Sequence, residues 1–498
     1  MNVNPITRLD YPDPDVIRVE DTYYMVSTTM HFMPGCEILQ SFDLVHWEHV
    51  TYVYETLDHT DAQQLKSGHN IYGQGMWAAS LRYHEGRFYI CFVANDTRKT
   101  YLYTSEKIDG PWKKQLIEGF YHDGSLLFDE DGRNYIVYGN DEIWITELNE
   151  DLTAPKKDGL HRLLVSDHKN PELGYEGSHI QKINGYYYIF LVHSLRDRWM
   201  RTEACFYSDS LEGEFTGGDV LCDDRGYCGQ GVAQGGIVDT PDGKWYAMLF
   251  QDSGAVGRIP ILLPVTWKDH FPFFGQNGHV PEEIEVHSTR PGYIYQPLVG
   301  SDDFCNGLLP RWQFNHDPDP RYYHLDALQG TYTITTREVC TELTQAVNTL
   351  TQRMSYPSCA AEVTVDASAL KEGDVAGLCA LQSCYAAVGI TKHHGKYEVL
   401  MLDKKEDGIL DMTEGTVVES HQMDFRLEAD FCNMKDEARC YYRVNKGDWL
   451  PIGTVHKLYF KLDHFTGCRF GLFCYAAEET GGSACFRDFK YYDVDEIA

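Results

Sequence analysis

The chain has 498 residues, enough for two or three domains that each bury a core. Its composition, 43% apolar, 13% aromatic and 24% charged, is globular, and abundant glycine (43) and tyrosine (34) favour many short strands over long helices. A net charge of -32 makes nucleic acid and anionic membrane surfaces poor partners and leaves a neutral ligand such as a sugar compatible.

The first residues, Met1-Asn2-Val3-Asn4-Pro5, show no basic region followed by an apolar core, and no apolar run approaches the roughly 20 residues of a bilayer span. A cytoplasmic location without a membrane partner is therefore expected. The 15 cysteines are scattered and contain no C-x-x-C, which reads as free thiols rather than a zinc site. The oligomeric state is left open.

From Leu9 a proline-locked acidic turn, Tyr11-Pro12-Asp13-Pro14-Asp15, leads into an apolar strand, a tight turn and an aromatic strand at Tyr23-Tyr24. The pattern returns at Ala78-Ala79-Ser80, Asp123-Gly124-Ser125, Glu176-Gly177-Ser178 and Gln234-Gly235-Gly236. Glu85-Gly86, Asp131-Gly132, Asn184-Gly185 and Asp242-Gly243 supply hairpin turns. A second element, Ser41-Phe42-Asp43-Leu44-Val45-His46-Trp47, recurs near Ser105, Glu147 and Ser208 and reads as the turn from third to fourth strand. Five all-β units of about 50 residues predict a five-bladed β-propeller over residues 1–276.

Residues 277–301 are irregular, rich in proline and acid, and read as a connecting arm. Beyond 302 the segments Thr331–Thr335, Ala361–Val365, Ala386–Ile390, Tyr397–Met401 and Tyr459–Leu462 alternate as half-buried strands do. They predict a β-sandwich over 302–498, so the whole chain is expected to be all-β.

The inner strand of each propeller blade lines the central axis, so one register converges on one funnel. Its five occupants are Asp13, Ala78, Asp123, Glu176 and Gln234. Three carboxylates gathered there repel, which raises at least one pKa and points to function. A split carboxylate pair is what glycoside hydrolysis uses: one donates a proton to the leaving oxygen, the other activates water or attacks the sugar. Glu176 is the better acid, since its longer arm and the flanking Tyr175 offer a drier setting. Trp77 suits stacking on a sugar ring or packing within the blade. Arg258 suits sugar hydroxyls, a pairing with Asp123, or the surface.

The chain resembles glycoside hydrolase family 43, the inverting β-xylosidases and α-L-arabinofuranosidases. The resemblance runs through Asn4-Pro5, Tyr11–Asp15, Pro34-Gly35, Ser41–Trp47, Met76–Ser80, Asp123–Ser125 and Tyr175–Ser178. The second half resembles the concanavalin-like jelly roll of such enzymes through Arg311–Phe314, Asn348–Arg353 and Gly373–Leu378. The resemblance implies that Asp13 is the general base, Glu176 the general acid, and Asp123 the residue that tunes and orients the acid. It also implies that Arg258 and Trp77 contact substrate and that the sandwich closes one side of the pocket, favouring exo action.

Two departures shape the expectation. Gln234 stands where many members carry a histidine that helps hold a central metal or water, so no metal and no required cofactor are expected there. Asp302, Asp303 and Asp488 offer oxygens to a structural calcium ion, although such acids are more often simply solvated. Met30 replaces a wall phenylalanine and, with His31 and the Gln234 segment, looks like the arabinofuranosidase side of the family; both are assigned to the substrate wall. The expected activity is release of arabinose from arabinoxylan-derived oligosaccharides. A β-xylosidase or bifunctional enzyme acting on xylo-oligosaccharides, and a non-catalytic carbohydrate-binding propeller, are the alternatives.

Overall fold

The computed structural model describes residues 3–413 and 415–493. Among them the regular structure is strand, with four short 3-10 turns and no α-helix. Five four-stranded antiparallel sheets follow one another in chain order, from Asp15–Val19 to Phe271–Phe274, and form the five blades. The first blade's inner strand packs beside that of the last, which closes the ring. The N-terminal segment latches this closure: Asn4 bonds both ways with Leu262, and Ile6 N–H donates to the Pro260 carbonyl.

The recurring motifs have physical causes. Glu85-Gly86 and Asn184-Gly185 take positive φ at both positions (47° and 77°, 49° and 84°), as a two-residue hairpin turn following the strand twist requires. In the Ser41 motif the serine Oγ accepts the Asp43 and Leu44 amides while Asp43 Oδ1 accepts those of Val45 and His46, which fixes the turn by side chain alone. In the first three blades, the residue two past the register position carries a stitch to the next blade. Asp15 Oδ2 accepts Leu81 N–H, Ser80 Oγ accepts Leu126 N–H, and Ser125 Oγ accepts Ile180 N–H, at 2.7–3.1 Å. Asp15 is fully buried and also holds Arg82 and His179, so it ties blades together beneath the funnel.

The second half is a sandwich of a nine-stranded and a seven-stranded sheet. Leu378, Val388 and Ile390 from one sheet pack on Val363, Phe425 and Phe486 from the other. The nine-stranded sheet includes a propeller strand, Phe32–Met33, paired with Gln313–Asn315. A buried ion pair, Arg353 to Glu37 at 2.8 Å, joins the two halves nearby. One expected strand fails: 459–462 is a loop. Its alternation comes from Phe460 reaching toward the funnel and Leu462 standing 75% exposed, so period two here marks a rim and no pleat.

Candidate active site

All five register positions border one cavity of about 550 Å³. A larger groove, about 820 Å³, follows the arm around Pro281–Val286 and holds none of the three carboxylates. The backbone aims the side chains. In blades two, four and five the inner strand slips register just there, between Met76 and Ala79, Glu176 and His179, and Ala233 and Gly236. Asp13, Asp123 and Gln234 take left-handed φ of 53°, 48° and 65°, a conformation costly for residues with a Cβ and typical of functional positions. In blade four that conformation falls on Gly177 (φ 66°), where a Cβ would also lie 2.7 Å from Gln234 Cγ, so glycine is required.

Asp13 accepts the Thr28 hydroxyl at 2.6 Å and the Arg258 guanidinium at 3.2 and 3.4 Å. Arg258 therefore pairs with Asp13 and not with Asp123: its strand leaves the last blade beside the first, across the funnel from blade three. Its guanidinium lies 4.4 Å from the Phe465 ring, and its backbone N–H donates to Asp10, whose other oxygen accepts Gly467 N–H of the sandwich. Asp123 accepts Gly177 N–H at 3.0 Å, and Glu176 accepts the Asn140 amide at 2.8 Å. His122 Nε2 lies between them, 3.6 Å from Asp123 and 3.7 Å from Glu176.

The electrostatics follow from burial and crowding. Burial and the Glu176 and Asp13 charges push the Asp123 carboxyl up to about 6, against the opposing pull of His122. Burial disfavours a charged His122, yet the carboxylates of Asp123, Glu176 and Asp13 outweigh it and hold the imidazole up to about 9. The two shifts compete, because a charged His122 favours the ionised Asp123. The geometry supports an imidazolium clamped between two carboxyl groups. His122, Asp123 and Glu176 also offer ligand atoms within 4.8 Å of one another and could hold a cation, a charge demand that the imidazolium itself meets. Asp302 accepts the Phe304 N–H and the Trp312 indole N–H.

Several expectations need correction. His31 does not reach the cavity. It is fully buried among Phe32, Tyr72, His316 and His464, and burial pushes its imidazole well below the usual value. Docking of Phe32–Met33 on the sandwich turns Met30 to the cavity and His31 to the interface. Glu176 is also not the drier carboxylate. Its side chain is 20% exposed against 6–7% for Asp123 and Asp13, and Tyr175 packs away on His193 and Phe206. Met30, Trp77, Gln234 and Arg258 do line the cavity. Sequence reasoning missed His122, Asn140, Trp199 and the rim residues Phe460 and Phe465; only His122, adjacent to Asp123, carried a local signal.

A ring of blades that converges three carboxylates, an arginine and aromatics on one cavity is the equipment of a glycoside hydrolase. A family model described as glycosyl hydrolases family 43 matches residues 3–272, and one described as a beta xylosidase C-terminal concanavalin A-like domain matches residues 301–492. The chain belongs to glycoside hydrolase family 43, and its expected propeller-and-sandwich architecture holds. It is 26% identical to a beta-xylosidase of Formosa agariphila over 99% of this chain and 89% of that protein. Among solved structures it is similar to a bifunctional GH43-CE protein of Bacteroides eggerthii (42% identity, TM-score 0.92), covering 98% of this chain but only 63% of that one. It is also similar, at 27% identity, TM-score 0.86 and 99% coverage of both chains, to a GH43 enzyme engineered to display both endo-xylanase and exo-arabinofuranosidase activity. Among the described residues no helix is long and apolar enough to cross a membrane.

Proposed function

We propose that this hydrolase is an inverting, exo-acting α-L-arabinofuranosidase that removes arabinose from arabinoxylan-derived oligosaccharides. The observation that carries the reading is the roofed cavity, in which Asp13 and Glu176 stand on different blades with differently built surroundings. Asp13, held by the Thr28 hydroxyl and the Arg258 guanidinium, takes a proton from water as the water oxygen attacks the anomeric carbon. Glu176, more open and held by Asn140, gives its proton to the glycosidic oxygen as the carbon–oxygen bond breaks. Asp123 is a positioning residue that fixes Gly177 N–H and so the backbone beside the acid. Chemistry at this site needs no metal in this reading, and His122 supplies the local positive charge.

The sandwich loop bearing Phe460 and Phe465 roofs one side, which suits a terminal sugar and not an uninterrupted backbone. Met30 at the wall and the 27% identical enzyme with exo-arabinofuranosidase activity support arabinose. A β-xylosidase reading is favoured by the Formosa relative, since both pentoses present similar hydroxyls. Initial rates on 4-nitrophenyl α-L-arabinofuranoside and 4-nitrophenyl β-D-xylopyranoside separate them. The arabinoside is expected to be cleaved at least about ten-fold faster in kcat/KM, a margin that a few well-placed hydrogen bonds supply. A faster xyloside would reverse the assignment.

A further inference from the structure

The cavity of about 550 Å³ is larger than one pentose requires, and its two sides differ. The inner side carries the carboxylates and Arg258. The outer side carries Leu173, Trp199, Gln230 and Leu462.

We propose that Trp199 is the platform of a leaving-group subsite, where its indole stacks on the apolar face of the pyranose whose oxygen Glu176 protonates. The inference rests on Glu176 being the acid, because the acid marks the side on which the leaving group departs. Trp199 lies on that side by register. Glu176 is opposite Val192, Val192 is opposite Glu203, and the connection bearing Trp199 joins Ser194 to Arg201 at the same end of the same blade. Asp13, by contrast, belongs to blade one with Arg258 of blade five beside it.

The ring is built to be presented. It is 44% exposed, yet the Arg201 guanidinium covers it at 5.2 Å from the ring centroid. Arg201 is itself largely buried, ion-paired with Asp252, and equally 5.2 Å from the Phe250 ring. A fixed cation on one face holds the indole in place and leaves its exposed surface to the cavity. Gln230 lines the same cavity; its amide nitrogen donates a long bond to the Cys228 carbonyl at 3.4 Å, and its amide oxygen can accept from the hydroxyls of the same sugar. A rigid aromatic with a neighbouring polar group is the usual recipe for binding a ring that is apolar on its faces and polar at its edge.

The test compares wild type, Trp199→Ala and Trp199→Phe on an arabinofuranosyl xylo-oligosaccharide and on methyl α-L-arabinofuranoside, whose leaving group has no ring. Trp199→Ala is expected to lose about ten-fold more kcat/KM on the oligosaccharide than on the methyl glycoside, a ratio that stacking of one ring accounts for. Trp199→Phe restores most of that ratio. Xylotriose, a mimic of the leaving group, inhibits the wild type and inhibits Trp199→Ala about ten-fold less, whereas inhibition by arabinose changes little. Equal losses on both substrates, or a wild type that xylotriose does not inhibit, would overturn the subsite; the second result needs no variant to fold. If the enzyme cleaves methyl β-D-xyloside in place of the arabinoside, the arabinose assignment fails, and the same comparison with xylobiose still tests Trp199.

Discussion

Glu176→Gln is expected to lower kcat on an arabinosyl oligosaccharide by about 10³-fold, the scale of general acid catalysis. The same variant loses far less on 2,4-dinitrophenyl arabinofuranoside, because a phenolate of low pKa departs without a proton. The amide keeps the volume of the carboxyl and a partner for Asn140, so the structure around it changes little. Steady-state rates on the two substrates check this through their ratio. A loss of equal size on both would mean that Glu176 does something other than protonate the leaving oxygen.

Asp13→Asn should fall by about 10³-fold or more on both substrates alike, since activating water is needed whatever departs. Asparagine is the right replacement. It tolerates the left-handed backbone at φ 53° and keeps a partner for the Thr28 hydroxyl, but it cannot take a proton from water. It also leaves the 3% exposed Arg258 without its countercharge. Removing one partner of a buried pair costs roughly 3–5 kcal/mol, so thermal unfolding of Asp13→Asn should shift down while Glu176→Gln stays near wild type. A variant that keeps activity, or one whose loss tracks the leaving group as Glu176→Gln does, would exchange or remove the proposed roles. The pair of variants therefore separates base from acid by chemistry and by stability together.

Much of this was legible because the propeller repeats its own physics. In the first three blades the residue two beyond the register position bonds to the next blade, so Asp15, Ser80 and Ser125 stand in one register and place Asp13 and Asp123 two residues before them. The turns recur because a serine or aspartate side chain can cap its own backbone. Sandwich strands such as Thr331–Thr335 show in the pattern because Tyr332 and Ile334 face the core while Thr333 and Thr335 are half-buried, which imposes period two. What could not be read lies between the halves. His31 reads as a wall residue in sequence, but Phe32–Met33 pairs with a strand some 280 residues away, a contact with no local trace. Residues 459–462 alternated for a different reason than pleating, and Arg258 met Asp13 only because the last blade closes on the first. Trp199 sits in a connection without repeat partners, where position relative to Glu176 exists only after folding.

Asp13 and Glu176, as base and acid, act with inversion at an arabinofuranosyl carbon. Proton NMR of the wild-type enzyme acting on an arabinofuranosyl xylo-oligosaccharide, recorded before the products mutarotate, tests it most directly. Inversion releases arabinose first as the β-anomer, with α following only by mutarotation. Arabinose appearing first as the α-anomer, or xylose appearing in its place, would contradict it.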